Sequence, residues 1–141
     1  MAAKRVEVAI VGGGLAGFAA AEVLGRFGVQ VLVLDDNLHP GGQYLRGGRR
    51  RGGAWVDRAR RRGLALIESL PQFSVETASR AEVLGIEPGF KLLVADGNGG
   101  IRLVECDRIL LATGARERFI PFKGWTLPGI MATGAVQILV K

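Results

Sequence analysis

The chain has 141 residues, enough for one compact domain and too few for two of ordinary size. Hydrophobic residues make up 48% and charged residues 23%, which excludes wholesale disorder; the 22 glycines come without a collagen-like period and with only 5 prolines, so they serve local backbone geometry. The net charge of +6 is concentrated, because residues 46–62 hold eight arginines against the single acid Asp57 and the rest of the chain sums to −1.

The first residues imitate a signal peptide, with Lys4 and Arg5 ahead of an apolar run, but Glu7 and three successive glycines interrupt it. Val6 to Val11 instead reads as a strand buried on both faces, as in the middle of a parallel sheet. After a glycine turn, Leu15 to Phe27 is Ala- and Leu-rich, with Gly17, Ala21, Leu24 and Gly28 as a stripe of mostly small side chains that lets a helix lie close on a sheet. Gly28 marks its end. Val29 to Leu34 is a second apolar run closing on Asp35, and together the three pieces read as a βαβ unit with a right-handed crossover.

His39 to Gly53 reads as a long loop or helix start, and Ala54 to Leu70 as a helix with Trp55, Ala59, Leu66 and Leu70 roughly on one side, stopped by Pro71. Short runs at Phe73 to Val75, Ala81 to Ile86, Phe90 to Ala95 and Ile101 to Glu105 read as an antiparallel meander. Arg108 to Ala112 is one more strand, ending in Thr113-Gly114, and Thr133 to Lys141 is a last helical piece. The uncharged stretch from Gly124 to Val140 falls short of the ~20 apolar residues of a membrane span, so no transmembrane helix is expected. The single Cys106 forms no internal disulfide and favours a reducing compartment, with cytoplasm as the default. One cysteine and one histidine, His39, leave no His/Cys metal cluster.

The strongest local signal is Gly12-Gly13-Gly14-Leu15-Ala16-Gly17, a GxGxxG that follows a strand and opens a helix. Gly12 permits the tight turn, Gly14 lets the backbone approach a pyrophosphate, and Gly17 permits close helix contact. The helix start at Leu15 and Ala16 offers N–H groups and a positive dipole end. Asp35 closes the next strand, where an acid accepts hydrogen bonds from a ribose and disfavours a 2′-phosphate. The fingerprint alone leaves NAD and FAD open.

Three later segments narrow the choice by resemblance. Asp35-Asp36-Asn37-Leu38-His39-Pro40-Gly41-Gly42-Gln43-Tyr44-Leu45-Arg46, then Leu111-Ala112-Thr113-Gly114-Ala115-Arg116-Glu117-Arg118, then Pro121 with Gly124-Trp125-Thr126-Leu127-Pro128-Gly129-Ile130, resemble the FAD-dependent pyridine nucleotide-disulfide oxidoreductase superfamily. Within it the chain is most similar to the flavin subunits of opine oxidase, cyanide-forming glycine dehydrogenase, dye-linked proline dehydrogenase and sarcosine oxidase alpha. The resemblance implies an α/β, Rossmann-like FAD/NAD(P)-binding domain, a parallel sheet with an antiparallel β-meander, incomplete as it stands. It implies FAD along the carboxyl edge of the sheet, with Gly12, Gly14 and Gly17 at the pyrophosphate and Asp35 at the adenosine ribose. Asp36 competes with Asp35 for that role, since the family usually has Glu at this place. Gly42, Gln43 and Arg46 would lie toward the pyrophosphate and flavin, the backbone of Val83 would reach the adenine, and Ala112, Thr113 and Gly114 would end the strand beside the cofactor.

Full members continue into a second GxGxxG domain for NAD and return with a late strand and a Gly-Asp motif. The sequence has neither, nor a CxxxxC redox pair, so residues 1–141 correspond to the first part of an FAD domain, as a truncated product or one part of a split enzyme. The implied activity is passage of a hydride equivalent from an amine or amino-acid-like substrate to flavin, with catalytic groups unassigned and a partner subunit or missing half expected. Two other classes stand beside it: a non-catalytic module binding NAD or FAD, and a basic nucleic-acid-binding protein. Against the last, no known nucleic-acid motif accompanies the arginines. Cys106 reads as a packed thiol, His39 as a loop residue, and Phe122 and Trp125 equally as packing or as lining near the flavin.

Overall fold

A computed structural model describes residues 4–45 and 58–140. β1 (Lys4–Val11), α1 (Leu15–Arg26) and β2 (Val31–Leu34) form the opening βαβ unit, and β1 and β2 pair in parallel with Val8 beside Val31 and Val11 beside Leu34. The apolar runs are continuous because both sheet faces are covered. Ala9, Leu32 and Leu34 point into one hydrophobic cluster, while Val8, Ile10, Val31 and Val33 point into another on the opposite face.

α1 buries Gly17, Phe18, Ala21 and Gly25 against the second cluster. The stripe therefore runs through Gly25 and not Gly28. A Cβ on Gly25 would come within 2.8 Å of Phe73 and Val75, so a bare backbone is what lets the helix settle there. Gly28 instead ends the helix in a left-handed conformation (φ +77°), donating its N–H to Gly25 O at 3.0 Å. Arg26 in the last turn pairs with Glu22 at 2.7 Å, one turn earlier.

A short α2 (Gly42–Leu45) follows β2, and α3 (Arg58–Ser69) is the described part of the helix expected over Ala54 to Leu70. Trp55 and Arg46 lie outside the described residues. After a 3₁₀ turn at Leu70–Gln72 comes β3 (Val75–Ala78). Here the fold departs from the expected meander: β3 runs parallel to β2, with Val75 beside Val31 and Ala78 beside Leu34. The turn after Ser69 delivers the chain to the open side of β2, where an edge position accepts the exposed Glu76 and Thr77.

The meander itself is β4 (Ala81–Glu87), β5 (Lys91–Asp96) and β6 (Ile101–Leu111). β6 joins two segments that the sequence separates, Ile101 to Glu105 and Arg108 to Ala112. Its first part pairs antiparallel with β5, and Val104 to Leu111 pairs parallel with β1. The polar residues at the junction are compatible with a strand because neighbours satisfy them: Arg5 donates to Asp107 at 3.0 Å and Lys91 lies 3.4 Å from Glu105. The six strands thus form one sheet in the order β3-β2-β1-β6-β5-β4, all described strands included.

The meander folds back over one face of the parallel strands. Ala81, Leu92, Val94 and Val104 share a cluster with Val6, Ala9, Leu32 and Leu34, while α1 and α3 cover the other face through Phe18, Ala21, Leu66 and Ile67. Ala81 N donates to Asp35 O at 2.8 Å, so the start of β4 is tied to the carboxyl end of β2. The outcome is three layers with the carboxyl ends of β1, β2 and β6 gathered at one edge. α4 (Thr133–Val140) lies after a long irregular segment. Among the described residues no helix is long and apolar enough to cross a membrane.

Candidate functional site

The glycine loop between β1 and α1 forms the centre of that edge. Gly12 N donates to Leu34 O at 2.8 Å, and its φ of +110° turns the chain toward the helix. A Cβ on Gly12 would fall 2.2 Å from Ala112 O, one on Gly13 would fall 2.9 Å from the Asp35 carboxylate, and one on Gly17 would fall 2.0 Å from Gly12 O. The fold itself requires these three positions to be bare.

Gly14 is different. Its backbone is extended (φ −81°, ψ −179°), a conformation open to any residue, and a Cβ there would meet nothing within 4 Å. Gly14 also caps α1, whose first turn carries no acid and no side-chain cap. A helix start in this condition presents backbone N–H groups and a positive dipole end to an anion. Open space over a glycine that the fold does not need is the cradle a pyrophosphate fits.

The remaining expected residues arrange around this loop. Gly41 N donates to Gly13 O at 2.8 Å, and a Cβ on Gly42 would lie 3.1 Å from Gly14 Cα, so the Gly41-Gly42 pair closes on the glycine loop from above. Gln43 Nε2 donates to Ala115 O at 3.1 Å, joining α2 to the segment after β6. Ala112 N donates to Val11 O at 2.8 Å, which sets Thr113 and Gly114, both exposed, beside the loop. Leu15 and Ala16 begin α1, half-buried and exposed respectively.

Asp35 is buried, 6% exposed, and both carboxylate oxygens are engaged: Oδ2 accepts from Gly13 N, and Oδ1 from Asn37 N at 2.8 Å. Asp36 is exposed and lies with Oδ1 accepting from Asn37 Nδ2 at 2.7 Å and Oδ2 3.8 Å from Arg116 Nη2. Val83 stands apart from the loop in β4, half-buried against the meander cluster, at the point where the ladder with β5 shifts register.

Two residues of this region escape a reading of the sequence. Gly41, hidden in a Gly-Gly pair, makes the parallel bridge to Gly14. Gly63 in α3 comes close to Leu15, since a Cβ there would sit 2.8 Å from Leu15 Cδ2, and no local pattern signals that helix contact. Beside it, Arg58 and Arg62 line a shallow depression with Leu15, Ala19 and Leu66. Cys106 is buried within the sheet; burial pushes its thiol pKa up, and Sγ donates to Phe90 O at 3.4 Å. Among the described residues no group of three His, Cys, Asp or Glu side chains is placed to hold a metal ion.

A parallel sheet with a glycine loop at its carboxyl edge, opening a helix, defines a dinucleotide-binding domain. The chain belongs to the pyridine nucleotide-disulphide oxidoreductase family, whose model matches residues 6–138. It is 38% identical to one of the subunits of opine oxidase from Agrobacterium tumefaciens (strain Ach5), over 96% of this chain and 29% of that protein. It is 41% identical to the HcnB component of hydrogen cyanide synthase from Pseudomonas aeruginosa, over 94% of this chain and 29% of that protein. Among solved structures, L-proline dehydrogenase from P. horikoshii superposes with a TM-score of 0.71 at 27% identity, over 92% of this chain and 27% of that one. The chain therefore spans under a third of the length of these relatives.

Proposed function

We propose that this chain is the first part of the FAD-binding domain of an amine or amino-acid dehydrogenase, holding the ADP half of the cofactor at the glycine loop. Gly14 carries the reading, because it is bare where the fold offers no reason for it and where the start of α1 faces open space. Gly12 and Gly17 shape the loop, Leu15 and Ala16 supply N–H groups to the pyrophosphate, and the acids Asp35 and Asp36 stand at the ribose end. Gly42 and Gln43 close the loop's outer side toward the flavin, with Arg46 assigned there by resemblance. Thr113 and Gly114 follow the strand beside the cofactor, and the Val83 backbone serves the adenine. NAD is the alternative ligand for the same geometry.

Flavin held there would supply the electron-accepting chemistry for a hydride equivalent. The residues of this chain bind and orient; substrate-side groups belong to the additional length or partner subunits that such relatives carry. That two relatives are named as subunits, and that this chain matches 29% of each, supports a partner or further region. A reducing, cytoplasmic setting is part of the same proposal.

FAD titration of the purified chain tests the reading, following flavin fluorescence with Gly14→Val alongside. Wild type binds FAD, and Gly14→Val loses affinity by roughly a hundred-fold, the effect of a side chain forced against a close-packed ligand, while its circular dichroism and melting stay near wild type. Unchanged FAD affinity in the folded variant sinks the assignment. A second reading of the same geometry is a dinucleotide-binding module without turnover. Bleaching of the bound flavin by an amino acid under anaerobic conditions counts against it.

A further inference from the structure

We propose that Asn98 is a site of spontaneous covalent modification, an asparagine whose side-chain amide is lost to the backbone nitrogen of Gly99, and that Asp96 controls the rate of that loss. The chain has two asparagines, Asn37 before Leu38 and Asn98 before Gly99. In the reaction the backbone nitrogen of the following residue attacks the side-chain Cγ. The new N–Cγ bond closes a cyclic imide, the Cγ–Nδ2 bond breaks, and Nδ2 departs as ammonia with the proton that the backbone nitrogen gives up. Water then opens the imide at either of its carbonyls, leaving aspartate or isoaspartate, in which the main chain runs through the former side chain. Water is the sole co-reactant, and nothing is oxidised or reduced. A glycine in the following position favours closure, since no Cβ hinders the approach of its nitrogen and its backbone turns freely. A leucine there hinders it.

The fold treats the two positions oppositely. Asn37 is half-buried and engaged on several sides: its N–H donates to Asp35 Oδ1 at 2.8 Å, its Nδ2 to Asp36 Oδ1 at 2.7 Å, and its carbonyl accepts from Arg80 N at 3.1 Å. A side chain held in this way is kept from swinging its Cγ onto the next nitrogen. Asn98 lies in the turn between β5 and β6, where residues 96–99 are all exposed, and among the described residues no hydrogen bond restrains its side chain. Gly99 has open space where a Cβ would stand. What restrains the site is the backbone of the turn. Asp96 Oδ1 accepts from Asn98 N at 3.0 Å and from Gly100 N at 2.8 Å, and Asp96 N donates to Gly100 O at 2.8 Å. Asp96 O accepts from Gly99 N at 3.1 Å, so the attacking nitrogen is itself held and closure waits on local opening of the turn. The outcome reaches the sheet, because Ala95 and Ile101 are the last facing pair of the β5–β6 ladder. Isoaspartate adds a backbone carbon to the loop joining them, and either product puts a second carboxylate beside Asp96.

The test incubates the full chain at neutral and at mildly alkaline pH, digests it, and reads the peptide around each asparagine by mass. The peptide with Asn98 is expected to exchange its amide for a carboxylate and to split into a pair of isomeric products, with ammonia released. Its rate rises with pH, because the attacking nitrogen must shed its proton. The peptide with Asn37 is expected to stay intact over the same time. Asp96→Ala, shown by circular dichroism to be folded, is expected to speed conversion roughly ten-fold, the gain in open turns that follows loss of hydrogen bonds to a charged group. The wild-type chain in urea supplies the unrestrained rate, and the native rate is expected to lie well below it. No conversion at Asn98, or equal conversion at Asn37 in the native protein, overturns the site. A native rate equal to that in urea, or an Asp96→Ala rate equal to wild type, overturns the control by Asp96. Should Asp96→Ala fail to fold, the native rate against the urea rate decides alone. Asn98→Gln, whose longer side chain closes a larger imide only slowly, is expected to keep its amide; loss at the wild-type rate would show direct hydrolysis and overturn the attack by Gly99.

Discussion

A methyl group at Gly17 would sit 2.0 Å from the carbonyl oxygen of Gly12, whereas a methyl group at Gly14 would meet nothing within 4 Å. The two glycines occupy equivalent places in the sequence motif, yet one is held by the fold and the other by nothing in it. Gly17→Ala is expected to cost about 3 kcal/mol or more, the upper range for overpacking against backbone that cannot yield. Gly14→Ala is expected to stay within about 1 kcal/mol of wild type, since its φ of −81° is open to any residue. Chemical denaturation of the two variants checks the contrast, and equal destabilisation would contradict it. The motif itself is legible from spacing, because turn, helix start and terminal acid are local features. The engagement of Asp35 by Gly13 is not, since the bond spans 22 residues and depends on how β2 returns beside β1. Cys106 shows the converse, a residue whose inertness is readable from both levels. Burial raises its thiol pKa and holds it protonated, so alkylation at neutral pH is expected to be slow in the native protein and rapid in denaturant. Rapid native labelling would show that the strand opens.

At the scale of elements, the parallel core is readable because its strands are short apolar runs ending at turn residues. The meander is readable in part. β3 is misplaced by its sequence because four residues with an exposed Glu76 and Thr77 carry no mark of which edge they join. β6 divides at Cys106 and Asp107, where the charge pattern reads as a break; cross-strand partners such as Arg5 are invisible until β1 lies alongside. That continuous strand has an energetic consequence, because it makes the meander and the parallel sheet one cooperative unit. Leu92 of β5 is fully buried in the cluster that also holds Ala9 and Leu32 of the parallel strands. Leu92→Ala is expected to lower global stability by about 2–5 kcal/mol, the range for emptying such a site. Urea unfolding followed by hydrogen exchange of the β1, β2 and β5 amides should show all of them losing protection together at a lower midpoint. Two separated transitions would show that the meander melts by itself.

On the scale of the whole molecule, the apolar surface is distributed unevenly. The sheet is well covered by α1, α3 and the meander, but the segment after it exposes Phe119 (63%), Ile120 (74%), Phe122 (59%) and Leu127 (61%). β6 adds a second uncovered feature, for its pairing with β5 stops at Glu105 and the stretch from Asp107 to Leu111 pairs only with β1 among the described strands. Unpaired backbone groups on a strand edge and adjacent apolar side chains are the conditions under which a chain recruits another. Expressed by itself, the protein is therefore expected to self-associate in a concentration-dependent way, measurable by sedimentation velocity. A double substitution, Phe119→Ser with Ile120→Ser, should shift the distribution toward monomer while leaving FAD affinity within about two-fold, because both side chains are exposed and neither is among the residues assigned to the cofactor. If the wild-type chain sediments as a monomer throughout the micromolar range, the exposed segment and the open edge are tolerated in water. If the double variant associates as strongly as wild type, the edge of β6 and not the apolar segment drives assembly, and substituting Leu111, 65% exposed at the end of that edge, with Lys becomes the informative change.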